Sequence, residues 1–517
     1  MNSSSSMEYV AAIDVGTTNL KCQIFSSKFH VVGSSFLKIN VLKPHHGWEE
    51  IDPEELTNSI KQSLQNALKD AGLKPCMVKN LGLSSQRNTF ITWNKTTGKH
   101  YHNFITWRDT RSSLIIERFN KSLFLKAVKF VSRILSLMCS SKQIKLAKSF
   151  SFTNAQILPK LIWLLENNID FRKDVNKNEV QFGTLDTWLL YRASKGELHV
   201  TDLSCASSTG LFNVFTMTWL PKIVFQFFGF SNNFLPTICD SNLSKHYSGA
   251  VQISNIPITC SMADQSSSLF GTGSFSKHTA KVTMGTGMFL DINCGSVPDI
   301  CLGYFPLVGW MFNDEVCFTL EALDHNSGPL ITLGKSIGCY SNLRELNELL
   351  LHEKKESFAN DVLFVLPDSE SSKNRGRNYS FINLTSNTTK ADMVKSILES
   401  FAFRIKKRLD KLHKEIPGLK LNTLWVDGGV SQNDYICQAI SNATSTTVIR
   451  MKNNNKTEIS CLGVAFMAGL SSGVWSNKDE LKDYRSTTDE KFVPEDNDYI
   501  GNECKYIRWL YSQKCLY

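Results

Sequence analysis

Among the 517 residues there is no run of eighteen apolar side chains. A helix needs about that many to cross a bilayer, so no transmembrane helix is predicted. The fourteen cysteines never form a Cys-x-x-Cys pair and are not crowded into a small domain. That spacing speaks against both a zinc ribbon and a disulfide framework. Met1–Ser6 is polar and leads straight into a strand, with no secretory leader, so reduced thiols in the cytoplasm are the expected setting. Acidic residues are missing altogether from 118–148, which holds eight basic ones: Arg118, Lys121, Lys126, Lys129, Arg133, Lys142, Lys145 and Lys148. Outside that segment the net charge of +9 nearly vanishes, so the pI of 8.8 does not indicate a nucleic-acid binder. With 42% hydrophobic and 20% charged residues, the rest is an ordinary globular chain. Its length suits about three domains, or two large ones.

The chain is organised around Tyr9-Val-Ala-Ala-Ile-Asp-Val-Gly-Thr-Thr-Asn-Leu-Lys-Cys-Gln-Ile-Phe25. An apolar strand reaches Asp14, turns through Gly16-Thr17-Thr18-Asn19 and returns as Leu20–Phe25. Glycine permits a sharp turn whose amides can cradle oxyanions. Thr17 and Thr18 add hydroxyl donors, Lys21 adds a charge, and Asp14 is placed to hold a metal beside phosphates. An ordinary hairpin with a polar tip is the competing reading.

A strand over 29–41 follows, then a helix start at Asp52-Pro-Glu-Glu55, with Asp52 as cap and Pro53 in the first turn. Leu56, Ile60, Leu64 and Leu68 give that helix one buried stripe. Val78–Leu83 is a buried strand, and Ser84–Asn88 lies at its carboxyl end, where ligands sit in open α/β sheets. The order β-β-β-α-β-α predicts a three-layer α/β lobe. Segment 118–148 reads as amphipathic helix, with Phe124, Val128, Val131, Leu135 and Met138 on one side. It either docks on an anionic membrane surface or is an insertion whose charged face is solvated.

The polar run around Ser241–Gly249 marks the expected domain boundary. Beyond it come strand Ile258–Met262, Ala263-Asp264-Gln265, strand Ala280–Met284, a turn at Gly285-Thr286-Gly287, and strand Met288–Ile292. This second glycine–threonine hairpin resembles the first. A helix over 391–415, strand Leu424–Val426 and the turn Asp427-Gly428-Gly429 complete the pattern. Paired hairpins and a late Asp-Gly-Gly turn suit a nucleotide held between lobes, with Thr286 opposite the first hairpin. Adenine can then lie against Gly428 and Gly429.

This trio resembles the actin/hexokinase/Hsp70 superfamily, and the remaining motifs are similar to its FGGY carbohydrate kinases, in particular the glycerol kinases. The likeness rests on Ala12–Thr18, Gly47–Pro53, Ser85-Gln-Arg87, Phe182–Trp188, Ala263-Asp-Gln265, Met284–Phe289, Val426–Val430 and Ser460–Gly463 with Ala468-Gly-Leu470. Thr92–Gly98 with His102–Ile105, and Thr283–Asn293, are most similar to one animal subgroup. The resemblance implies two ribonuclease-H-like, actin-like ATPase lobes of α/β class with an inter-lobe cleft, spanning 1–248 and 249–485 with a tail at 486–517. It implies ATP- and Mg²⁺-dependent phosphorylation of glycerol to glycerol 3-phosphate, with no nucleic acid as partner, and leaves a homodimer open. Asp264 matches the catalytic base; a helix cap is the alternative. Arg87, Trp107, Gln265 and Phe289 match substrate positions, against a salt bridge for Arg87 and core packing for the rings. Asp14 matches the metal position. Thr17, Thr18, Lys21, Thr286, Gly328, Gly428, Gly429 and Asn433 match nucleotide positions.

Three departures stand out. Asn88 replaces a substrate-binding glutamate, and no Asp-Pro-Tyr occurs near Thr153-Asn154-Ala155. The second-lobe loop Phe364–Arg377 is short and polar, and Thr332 replaces a nucleotide-contacting glutamine. These leave two other readings open: a nucleotide-binding regulatory protein without turnover, and an FGGY kinase of another polyol or sugar.

Overall fold

In the computed structural model the described residues are 7–139, 141–243, 247, 251–273, 275–285, 287–324, 327–351, 362–366, 379–452, 456–495 and 499–516. Two mixed sheets carry the fold. The first contains β1 (Tyr9–Val15), β2 (Asn19–Ser26), β3 (Val31–Lys38), β4 (Val78–Ser85), β5 (Gln252–Ile253) and β6 (Ile256–Ala263), in the order β5-β6-β4-β1-β2-β3. The second contains β7 (Ala280–Met284), β8 (Met288–Gly295), β9 (Phe305–Phe312), β10 (Glu315–Asp324), β11 (Thr423–Asp427), β12 (Thr447–Met451) and β13 (Asp489–Phe492), in the order β9-β10-β8-β7-β11-β12-β13. Each sheet has an antiparallel hairpin beside parallel strands: β1 runs antiparallel to β2 and parallel to β4, and β7 runs antiparallel to β8 and parallel to β11. The repeated glycine–threonine hairpin is thus the visible trace of a repeated sheet.

Helix α1 (Pro53–Ala71) begins where the sequence predicts. Asp52 accepts from the amides of Glu54 and Glu55, and Leu56, Ile60, Leu64 and Leu68 are buried. The basic segment forms three helices, α2 (Ser113–Lys121), α3 (Leu123–Met138) and α4 (Lys142–Ser149), followed by α5 (Leu158–Asn167). Helix α6 (Asp264–Gly271) leaves the end of β6, α7 (Lys390–Glu415) starts at a Thr389/Asp392 capping box, and α8 (Ile459–Ser472) lies against the first sheet.

The expected boundary at 248/249 does not separate the sheets. Strand β6 pairs in parallel with β4, which places Asp264 at the end of a first-sheet strand. The polar run that signalled a boundary precedes the last strands of the first sheet. Within the expected tail at 486–517, β13 joins the second sheet, and buried Trp509 donates from its indole nitrogen to the Phe364 carbonyl at 2.9 Å.

Helices α6 and α8 meet at the junction between the sheets, and glycines set their separation. A Cβ on Gly463 would lie 1.8 Å from the Ser267 carbonyl oxygen, and one on Gly271 would lie 2.3 Å from that of Ile459. Both obstacles are backbone, so neither can rotate away. Gly463→Ala should therefore cost about 1–3 kcal/mol of stability or more through overpacking. A lowered thermal or urea midpoint checks this; an unchanged midpoint would show that the helices part easily.

Candidate active site

A cavity of about 2290 Å³ runs between the sheets, and Asp14, Lys21, Arg87, Trp107, Asp264 and Asp427 are among its lining residues. Asp14, next to last in β1, is almost fully buried. The hydroxyls of Ser84 and Ser460 donate to its two oxygens at 2.8 and 2.7 Å, one from the end of β4 and the other from the start of α8. Lys21 reaches Glu458, just ahead of α8, at 2.6 Å. Burial opposes its charge, but Asp14 and Glu458 hold the ammonium above its ordinary range.

The first hairpin closes on itself. Gly16 donates its amide to the Asn19 carbonyl at 3.1 Å, which removes that amide from the set able to face an anion. Thr17 is half-buried and Thr18 exposed at the tip. The Thr17 hydroxyl accepts from the Trp107 indole N–H at 2.9 Å, tying the phosphate hairpin to the predicted substrate wall. Trp107 meets Phe289 edge to face at 6.0 Å between centroids, so the two rings predicted to flank a carbon chain do face each other across the lobes. From behind, buried Lys160 on α5 donates to the Thr106 carbonyl at 2.8 Å, with its pKa lowered to about 7 by burial. Lys160 carries no motif signal; it fixes the backbone beneath Trp107.

Arg87 is not in a surface salt bridge. It forms an ion pair with Glu321 of β10, both nearly buried, which joins the end of β4 to the opposite sheet. Asp264 is not the helix cap either, since Ala263 holds that place and Asp264 is the first helical residue. Its Oδ1 accepts the Gln265 amide at 2.7 Å. Burial raises its pKa to about 6; Arg87 pulls down, Asp14 pushes up. Gln265 is turned away from a purely substrate-facing role, since its Oε1 accepts from the fully buried Lys281 at 3.0 Å. Asn88 sits in the left-handed region at φ +59°, and its buried Oδ1 has no hydrogen-bond partner. An acceptor therefore survives where the family's glutamate is lost.

The two glycines after Asp427 differ. At Gly428, φ is +89° and a Cβ would lie 2.5 Å from the Met284 carbonyl oxygen, so the chain itself takes up that space. At Gly429 nothing lies within 4 Å, leaving open space for a flat ring. Ser268 of α6 donates to Asp427, whose other oxygen is buried without a partner. Asn433 caps the helix Asp434–Thr444 by accepting the Ile436 amide at 3.2 Å. Gly328 lies in the first turn of the helix Ser327–Ser336. Thr286 and most of the shortened loop, 367–378, lie outside the described residues.

Sequence reasoning missed Glu321, Glu458 and Lys281, and it gave Ser84 and Ser460 no role. Only the alternation along β7, β8 and β10 could have hinted at Lys281 and Glu321, because it points both residues to one face.

A cleft with a recessed carboxylate, facing cations and two duplicated sheets defines a two-lobed phosphotransferase. The chain belongs to the FGGY family of carbohydrate kinases. The profile of the family's N-terminal domain matches residues 9–271 and that of its C-terminal domain residues 308–472. The animal subgroup noted above is glycerol kinase 5. The zebrafish (Danio rerio) protein is 36% identical, covering 94% of this chain and 91% of its own. The human (Homo sapiens) protein is 35% identical, covering 93% and 90%. A glycerol kinase of Ligilactobacillus salivarius is 30% identical, covering 97% and 96%. The crystal structure of Plasmodium falciparum glycerol kinase with ADP shares the fold, with a TM-score of 0.83, 24% identity and 98% of both chains covered. The chain is thus a carbohydrate or polyol phosphotransferase.

Proposed function

We propose that this kinase transfers the γ-phosphate of ATP to a hydroxyl of glycerol, giving glycerol 3-phosphate, in the cytoplasm. The observation that carries the reading is Asp264: a recessed carboxylate with a pKa raised to about 6, beside Arg87 and in the same cavity as the Thr17–Trp107 contact. Phosphoryl transfer asks a protein mainly for positioning and charge neutralisation, plus one group to take the hydroxyl proton. Near neutral pH Asp264 is ionised and basic enough to accept that proton. Arg87 keeps further N–H groups beyond those given to Glu321 and can donate them to acceptor hydroxyls. Trp107 and Phe289 wall off water, Lys21 and Thr17 face the phosphate side, and Gly429 leaves room for adenine.

Among the described residues no cluster of three or more His, Cys, Asp or Glu could hold a metal alone. Mg²⁺ commonly binds through one or two carboxylates, water and substrate phosphates rather than an all-protein cage. Asp14, with hydroxyls steadying both oxygens, and the unpartnered oxygen of Asp427 fit such a role. Bound there, the ion would neutralise phosphate charge.

The test is ADP release from purified protein with Mg-ATP and a polyol panel. Release stimulated by glycerol supports the reading, and release with another polyol reassigns the acceptor. ATP binding without release under any acceptor would favour the regulatory reading, which Asn88 and the shortened second-lobe loop motivate. Asn88→Glu offers a finer check. A charge-assisted hydrogen bond is worth about 1.5–3 kcal/mol, while a non-glycine side chain in left-handed backbone costs about 1–2 kcal/mol. The strain is present with and without glycerol and lowers stability rather than affinity, so the added acceptor should lower KM for glycerol by about tenfold or more. A KM that rises would mean that Asn88 is tuned to a different acceptor.

A further inference from the structure

Helix α3 is built inside out. Leu125 and Ser132 are its buried residues, whereas Leu123, Phe130, Ile134, Leu137 and Met138 are exposed, Leu137 to 86%. On a helical wheel these five side chains fill an arc of about 100°, which the exposed Phe124, Val131 and Leu135 widen to about 160°. Lys126 and Arg133 border it, exposed and with no ion pair among the described residues. An ordinary surface helix does the opposite and turns its apolar arc to the core. The charged side chains are solvated, as the alternative reading of this segment expects, but so is most of the apolar arc, which that reading leaves without a partner. The patch continues beyond α3. Phe124 stacks on Phe227 at 5.3 Å, and Ile223 on the same short helix, Lys222–Phe227, is 73% exposed.

We infer that α3, with its basic border, is a docking surface for an anionic lipid bilayer, lying flat in the headgroup region. Charge decides between occupants. Residues 118–148 contain no acidic side chain, so a second copy docking face to face would set Lys126 and Arg133 against their own counterparts. A bilayer bearing phosphatidylserine offers an apolar interior under a negative surface, matching both parts of the patch. Helices α3 and α4 also line one arm of the cleft, through Leu125, Val128 and Leu146.

The experiment is co-sedimentation of the full chain with phosphatidylcholine vesicles, with or without phosphatidylserine as the anionic lipid. The expected result is binding to the anionic vesicles at low salt that weakens as salt screens the charges. Phe130→Glu with Leu137→Glu should reduce partition at least about tenfold, since apolar insertion drives interfacial binding. Arg133→Glu should reduce it about fivefold or more, the worth of one surface charge. All three sites are exposed, so the variants should keep the parent thermal midpoint and turnover on a soluble acceptor. No binding to anionic vesicles at low salt, or equal binding by the variants, overturns the inference. So does self-association of the parent that Phe130→Glu/Leu137→Glu dissolves, because the patch would then be an interface between copies.

Discussion

Asp264→Asn is expected to lower turnover by about 10²–10⁴-fold, the usual worth of a positioned general base, while nucleotide binding survives. Asp264 opens α6 at the end of a first-sheet strand, and its Oδ1 is steadied by the next amide. With burial raising its pKa to about 6, the wild type should lose turnover as pH falls through 6, approaching tenfold per unit, because the protonated carboxyl cannot accept a proton. Stability runs the other way. A carboxyl with a raised folded pKa holds its proton more tightly in the native state than in the unfolded chain. The cost of its charge is absent below the ordinary carboxylate range and grows as pH rises through about 6. Asp264→Asn should therefore unfold no earlier than wild type above pH 6 while being nearly inactive there. Single-turnover kinetics with a parallel melt over pH 5–8 would check both halves. Turnover within a few-fold of wild type would remove Asp264 from the proton transfer.

The parts of this site that were legible in the sequence are those that local chemistry marks. Asp14, Gly16 and Lys21 sit at a strand-turn-strand, and Asp264 sits at a strand-helix junction; both junctions leave a signature within a few residues. Illegible were the partners supplied from far along the chain. Glu458 lies 437 positions from Lys21, and Glu321 lies 234 positions from Arg87. No spacing rule spans such distances; only the closing of two sheets on each other brings them together. The boundary misplacement has the same root. A polar run suggests a surface excursion, yet Ser241, Asn242 and Leu243 at its start are buried, and the chain goes on into the first sheet as β6. The two glycines after Asp427 look alike as sequence, yet one spares a backbone collision and the other leaves open space, a distinction only packing can draw.

The largest effect on stability should come from Glu321→Gln. Three neighbouring strands place Lys281, Asp291 and Glu321 in one row, with Lys281 opposite Asp291 and Asp291 opposite Glu321. Lys281 and Asp291 approach to 3.3 Å, and Arg87 closes the row from the other lobe by pairing with Glu321. All four are buried, two cations against two carboxylates, so the row is neutral only when complete. Neutralising Glu321 leaves Arg87 without its partner in a low-dielectric seam. Breaking a buried pair on one side costs about 3–5 kcal/mol, enough to consume much of the stability of a typical domain. Replacing both partners is different. Arg87→Met with Glu321→Leu removes the charges together and should return the urea midpoint most of the way to wild type. Activity should not return with it, because the double variant lacks the guanidinium that would meet an acceptor hydroxyl. The comparison thus separates what Arg87 does for the fold from what it does for the substrate. If Glu321→Gln melts like wild type, the lobes are not held by this pair and Arg87 is free to serve the acceptor alone. If the double variant regains turnover, Arg87 is a strut and the acceptor is recognised elsewhere.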